Sequence, residues 1–214
     1  MVKAPRRYDA TGRQRQALTT RRRVLQTAGQ LFVECGYAAT TIATIAERAG
    51  VSQQLVYVAF ESKRRLLKAV VDTTIAGDDA PVPLLRRPRI LAMRRETDPH
   101  RKLAMFGAYL REANARVGPV MRMLRGAADA DPDARELHAT LEGQRRTGMG
   151  VMAGDLAAVG GLQEHLDVQA AADIAWTLAS PVLYVMLVED RGWSGERYER
   201  WVTEQLSAAL LRSD

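Results

Sequence analysis

From Thr20 onward the apolar residues of the chain recur at steps of three and four, the spacing that gathers them on one face of a helix. Val24, Leu25, Ala28, Leu31, Phe32 and Cys35 make the first stripe, and Gly36 ends it. Cys35 continues that stripe and is expected in the core. Thr41 stands where an N-cap belongs, its hydroxyl placed to accept a backbone N–H, and Ile42, Ile45, Ala46 and Ala49 supply the next stripe. Gly50 provides the left-handed residue that stops this helix, and Ser52 caps a third that reaches about Ala59. Ser62 caps a fourth, KRRLLKAVVDTTIAG. Residues 1–19 contain Pro5 and Gly12 and show no periodicity, which predicts a flexible arm.

The stretch GDDAPVPLLRRPR, with three prolines, reads as a linker. Every later segment has a helical period: about 89 to 96, then 99 to 126 with Gly118-Pro119 as an interruption, then 133 to 159, 168 to 190 and 195 to 212. The last two carry Ile174, Leu178, Leu183 and Met186, then Tyr198, Trp201, Val202, Leu206, Ala209 and Leu210. Pro181 removes a hydrogen bond from the first of these and is expected to bend it. No alternating strand pattern occurs. The expected fold is all-α, a small N-terminal three-helix module followed by a larger helical domain.

Charge sharpens this division. Residues 1–65 hold twelve Lys and Arg against four Asp and Glu, a net +8, whereas the remainder of the chain is net −2. The excess basicity sits where it can draw a polyanion. No run of about twenty apolar residues is apparent, so no membrane span is expected. No apolar stretch follows the basic start, so a secretory signal is not expected either. One cysteine cannot close an internal disulfide, which suits a reducing cytoplasm.

The segment Thr40 to Lys63 resembles the DNA-binding domain of the TetR family of transcriptional regulators. The matching stretches are RRRVLQTAGQLF and GYAATTIATIAERAGVSQQLVY, followed by F-x-SK at Phe60, Ser62 and Lys63. The resemblance implies a helix-turn-helix whose second helix, capped by Ser52, enters the major groove with Gln53 and Gln54 at base edges. Glutamine can meet N6 and N7 of adenine together. The same resemblance places Thr41, Tyr57 and Lys63 at phosphates, and Thr44 on a turn that touches bases or phosphates in some relatives. Plainer readings exist for each: solvated glutamines, a core tyrosine with an exposed hydroxyl, a solvated lysine. The chain departs from the family pattern at VYVAF, where Ala59 replaces a side chain that often grips phosphate, and at Leu55 and Val58, where polar or small residues are common. Arg6, Arg7, Arg13 and Arg15 of the arm are candidates to replace the lost contact, by following the backbone or by entering a minor groove. Leu55 or Ala59 could alternatively meet a thymine methyl.

The resemblance also implies a homodimer through the last two helices, and their apolar stripes ask for cover. DDAPVPLL, W-x-L-x-SP-x-LY and DRGWSGERYERW look like those of an actinobacterial subgroup of TetR regulators. Relatives keep an effector pocket in this domain. Met105, Phe106, Tyr109, Met121, Met149, Met152, Trp176 and Tyr184 are the large, adaptable side chains that could line one, and all are equally ordinary core residues. His100, His138 and His165 have no metal-ligand spacing, and no phosphate-cradling glycine loop or nucleophile elbow occurs, so neither enzyme, metal nor cofactor is expected. The expected organisation is a basic arm at 1–19, a helix-turn-helix domain at 20–65 and an effector-binding and dimerisation domain at 66–214. The expected function is a cytoplasmic regulator, a repressor released from a palindromic double-stranded operator by a small, largely apolar effector. A ligand-independent regulator and a sequence-indifferent DNA-binding protein are the alternatives.

Overall fold

Helices start where the sequence supplies a side-chain cap or a proline, and the computed structural model describes residues 10–77 and 82–212 of the chain. The contacts divide it into two units, Met1–Val70 and Val71–Asp214, with the boundary inside α4. The first unit holds α1 (Ala10–Cys35), α2 (Ile42–Ala49), α3 (Gln53–Phe60) and the beginning of α4 (Lys63–Ala76). Thr41 caps α2 by accepting the Thr44 N–H at 3.1 Å, and Ser52 caps α3 by accepting that of Leu55 at 3.2 Å. Ser62 does the same for Arg65 at 3.2 Å. Gly50 ends α2 at φ +62°, a conformation that a Cβ disfavours, and its N–H reaches the Glu47 carbonyl at 3.0 Å. Val24, Ala28, Phe32, Ile45, Val56 and Leu66 close the core. Buried Thr40 pins the turn between α1 and α2 by donating to the carbonyls of Leu31 and Gly36 at 3.1 and 2.8 Å.

Two expectations for this unit are corrected. α1 begins at Ala10, so residues 10–19 are helical where the lack of periodicity predicts an arm. Arg, Gln, Ala and Leu favour helix intrinsically, and a turn exposed on all sides needs no apolar stripe; residues 14–19 are exposed. Cys35 is exposed as well. Gly36 takes a left-handed backbone at φ +82°, and Tyr37, which is buried, packs on Phe32 with ring centroids 5.5 Å apart.

The second unit comprises the end of α4, a 3-10 turn at Leu84–Arg86, α5 (Pro88–Arg95), α6 (Pro99–Ala128), α7 (Pro132–Ala158), α8 (Val168–Leu178), α9 (Pro181–Tyr184) running into a π-helical stretch at Val185–Asp190, and α10 (Gly195–Leu210). Four of these helices open on proline, whose missing N–H costs nothing in the first turn. Asp98, Asp131, Asp167, Ser180 and Ser194 cap α6 to α10. The core draws on α5 to α10, with Leu103, Phe106, Leu156, Tyr198, Val202, Leu206 and Leu210 at its centre. Among the described residues, the only sheet-like pairing is an isolated bridge between Leu162 and Leu211. The fold is all-helical.

Two buried polar side chains tie one helix to another. Lys102 on α6 is 1% exposed and donates to the carbonyls of Met93 and Arg94 at 3.0 Å each, capping the end of α5 with a cation. Burial holds its pKa below the ordinary lysine value. Asn114, also on α6, donates to the Ala179 carbonyl at 3.3 Å and to the Tyr198 hydroxyl at 3.0 Å.

Several expectations are corrected here too. Gly118-Pro119 does not interrupt α6, which runs through it. The glycine serves a close approach instead, since a Cβ there would lie 3.0 Å from the Val185 side chain. Pro181 does not bend a continuous helix, because α8 stops at Leu178 and Pro181 opens α9 behind the Ser180 cap. Most of the apolar stripe of α10 is used inside the chain: Tyr198, Val202, Leu206 and Leu210 are each 0% exposed, while Trp201 and Ala209 are half-buried. Finally, Val168–Asp190 is long and apolar enough, by length and composition, to cross a membrane, which the expected absence of such a run missed. Here it is broken by the Ser180 cap and packs against α7 and α10, as a segment of a folded helical domain does.

Candidate nucleic-acid interface

α3 buries Val56 and Phe60 and turns its other side chains outward. At about 100° per residue, Gln54 and Val58 stand opposite that buried pair, with Tyr57 on one flank and Leu55 on the other, while Gln53 lies above Phe60 in the first turn. All five are exposed, Tyr57 by 49%. The structure therefore brings the predicted base-reading pair together with Tyr57 on one uncovered surface. The Ser52 cap fixes where that helix starts, and so fixes which side chains occupy its first turn.

The other predicted contacts sit at two helix beginnings. Thr41 and Thr44 are both exposed at the start of α2, their hydroxyls 2.9 Å apart. Such an end has N–H groups and a positive dipole to offer an anion. Lys63, the first residue of α4, lies with its ammonium 4.2 Å from the centre of the Tyr37 ring and donates to the Ala38 carbonyl at 3.3 Å. It is held over the α1–α2 turn, and an ammonium has three donors to share. Arg6 and Arg7 lie outside the described residues. The sequence reading missed Arg21. Its guanidinium donates to the Ala59 carbonyl at 2.9 Å and stacks 4.3 Å from the centre of the Phe60 ring, fastening the end of α3 to α1. The two partners are 38 residues apart, so no linear pattern could have announced the pair.

A model of bacterial regulatory proteins of the tetR family matches residues 24–70, the stretch that carries these helices. Residues 24–70 form a tetR-family DNA-binding domain. The chain thus carries the DNA-binding unit of a tetR-type transcriptional regulator, a class of regulatory proteins and not of enzymes. No curated protein is significantly similar in sequence. Among solved structures, the chain is similar to NalD of Pseudomonas aeruginosa, described as the secondary repressor of the MexAB-OprM multidrug efflux pump: TM-score 0.72 at 18% identity, covering 94% of this chain and 100% of that one. It is similar to FadR of Bacillus subtilis in complex with stearoyl-CoA, TM-score 0.67 at 17% identity over 87% and 97% of the two chains. A regulator of Saccharomonospora viridis in complex with choline gives 0.67 at 18% identity over 90% and 98%. At these identities the likeness carries the fold alone, and it covers the C-terminal helices as well as the N-terminal ones.

In that C-terminal unit the effector candidates separate. A cleft of about 150 Å³ is lined by Arg89 and Met93 of α5 and by Met105, Ala108 and Tyr109 of α6, so two of the eight expected residues share it. Burial pushes the Tyr109 phenol above its ordinary pKa, and Arg89, paired with Glu112, lies 5.8 Å from the centre of the Tyr109 ring. Phe106, Met121, Met152 and Tyr184 are buried. Tyr184 packs edge-on to Tyr198 at 4.9 Å. Met149 flanks the core, and Trp176 lies under the Arg145 guanidinium at 4.3 Å with its indole N–H buried and without a hydrogen-bond partner among the described residues.

Proposed function

We propose that the chain is a homodimeric repressor that holds a palindromic operator through α3 of each copy and releases it when a small, largely apolar effector binds the C-terminal helical domain. The observation that carries this reading is the exposed Gln53–Gln54 pair on a Ser52-capped helix within a tetR-type domain. In the proposal residues 20–65 read DNA, residues 66–214 bind effector and dimerise, and the basic stretch 1–19 adds charge. Gln53 and Gln54 meet base edges; Thr41, Tyr57 and Lys63 meet phosphates, Thr44 a base or a phosphate, and Arg6 and Arg7 the backbone or a minor groove. Partnership with DNA places the protein in the cytoplasm.

Repression and effector control draw support from the structural relatives, one described as a repressor and others holding stearoyl-CoA or choline. The cleft at Met105 and Tyr109 is smaller than the roughly 300–1,000 Å³ of ordinary ligand pockets, so an effector must open it by parting α5 from α6. Such a ligand weakens DNA binding only by favouring a conformation whose two reading helices lose their groove spacing. Dimerisation draws support from the apolar Val168–Asp190 segment, where Val182 and Met186 are left 37% and 51% exposed. Footprinting of the purified chain on DNA from its own genome tests the reading. Two half-sites about 34–36 Å apart, or a small multiple of that, are expected. A single half-site bound by a monomer, or equal binding to random DNA, overturns it.

A further inference from the structure

Val58 is 75% exposed, more than any other large apolar side chain of the described residues. It occupies the centre of the outward face of α3, about 180° from the midpoint of the buried Val56 and Phe60. Leu55, 38% exposed, lies three residues before it, and Gln54, four residues before it, shares its face. Nothing within the unit accounts for a valine here. The position is not core, a β-branched residue is a mediocre helix former, and water is a poor environment for it.

We propose that Val58, flanked by Leu55, is a specificity-determining residue that reads thymine through its C5-methyl group. The inference rests on the operator-binding reading and deepens it. In the major groove the base edges offer donors, acceptors and one apolar group, the thymine methyl, so an exposed valine facing that groove has one favourable partner. Gln54 on the same face pairs with adenine, and one helical turn separates it from Val58, about 6 Å along the axis. The two side chains therefore read neighbouring base pairs and select an A·T-containing step in each half-site. The occupant of this face is duplex DNA and not an apolar protein surface because the face belongs to the basic end of the chain, where twelve Lys and Arg stand against four Asp and Glu.

The test uses the full-length protein. A preferred duplex is first selected from a random library, and each thymine of one half-site is then replaced by deoxyuridine, which removes the methyl and leaves base pairing intact. One position is expected to lose about three- to tenfold in affinity with the unaltered chain, a loss in line with burying one methyl group. With Val58→Ala, whose melting temperature should match that of the parent because the side chain is exposed, the same replacement is expected to change affinity less than twofold. A selected operator whose uracil replacements are all silent overturns the methyl contact and leaves operator binding standing. A sensitive thymine that is equally sensitive with Val58→Ala assigns the contact elsewhere and overturns the role of Val58. Failure to enrich any sequence removes the operator reading and this proposal with it.

Discussion

The two units are held together by different kinds of interaction. In the first, short helices meet at turns whose chemistry is local: Thr41, Ser52 and Ser62 cap the helix that follows each of them, and Gly50 stops α2 with a left-handed backbone. In the second, long helices are fixed by buried side chains that reach from one helix to another, Lys102 to the end of α5 eight and nine residues before it, and Asn114 to Ala179 and Tyr198, 65 and 84 positions away. A reading module must present a constant outward face, and here caps a few residues apart fix its helix starts, with Arg21 and Lys63 adding bonds across 38 and 25 residues. A larger helical domain leaves its helix spacing to tertiary anchors, and spacing set by a few anchors is the kind that a ligand can change.

The sharpest way to break this contrast is Lys102→Ala. It removes two charge-assisted bonds, leaves the Met93 and Arg94 carbonyls without the lysine and opens a cavity, and is expected to cost about 3 kcal/mol in denaturant unfolding. A cost of a few tenths would mean that this buried anchor is incidental. Gly50→Ala examines the local side of the comparison. No atom lies within 4 Å of the added Cβ, so the loss comes from the left-handed backbone alone and should be about 1–2 kcal/mol. A larger loss would show that the turn also depends on packing.

Tyr198→Phe gives the smallest change at neutral pH, about 1 kcal/mol for the lost Asn114 bond, and adds a signature in alkali. Burial pushes the Tyr198 pKa from 10.0 up to about 12. Between those values the unfolded chain gives up a proton that the folded chain keeps, so stability falls as pH rises through this window and is intact below it. The variant should lose stability less steeply from pH 10 to 12. Tyr109 and Tyr184, raised by burial in the same direction, keep the slope from vanishing. An unchanged slope would show that Tyr198 is not the group responsible.

Capping and periodicity determined much of this protein from the sequence alone. The stripe at Ile42, Ile45, Ala46 and Ala49, the Thr41 and Ser52 caps and the glycine between them fixed the two short helices, and with them the outward placement of Gln53 and Gln54. Each of those signals acts within about four residues, which is why the sequence displays it. The tertiary structure decided what depends on residues far apart in the chain or on what faces a side chain. It turned Cys35 outward, carried α6 through Gly118-Pro119, and buried Tyr198, Val202, Leu206 and Leu210 of α10 within one chain. It also joined Arg21 to Ala59 and left Val58 bare on α3. Periodicity reports that a face is apolar; only the packed fold decides whether that face meets its own chain, another molecule or water.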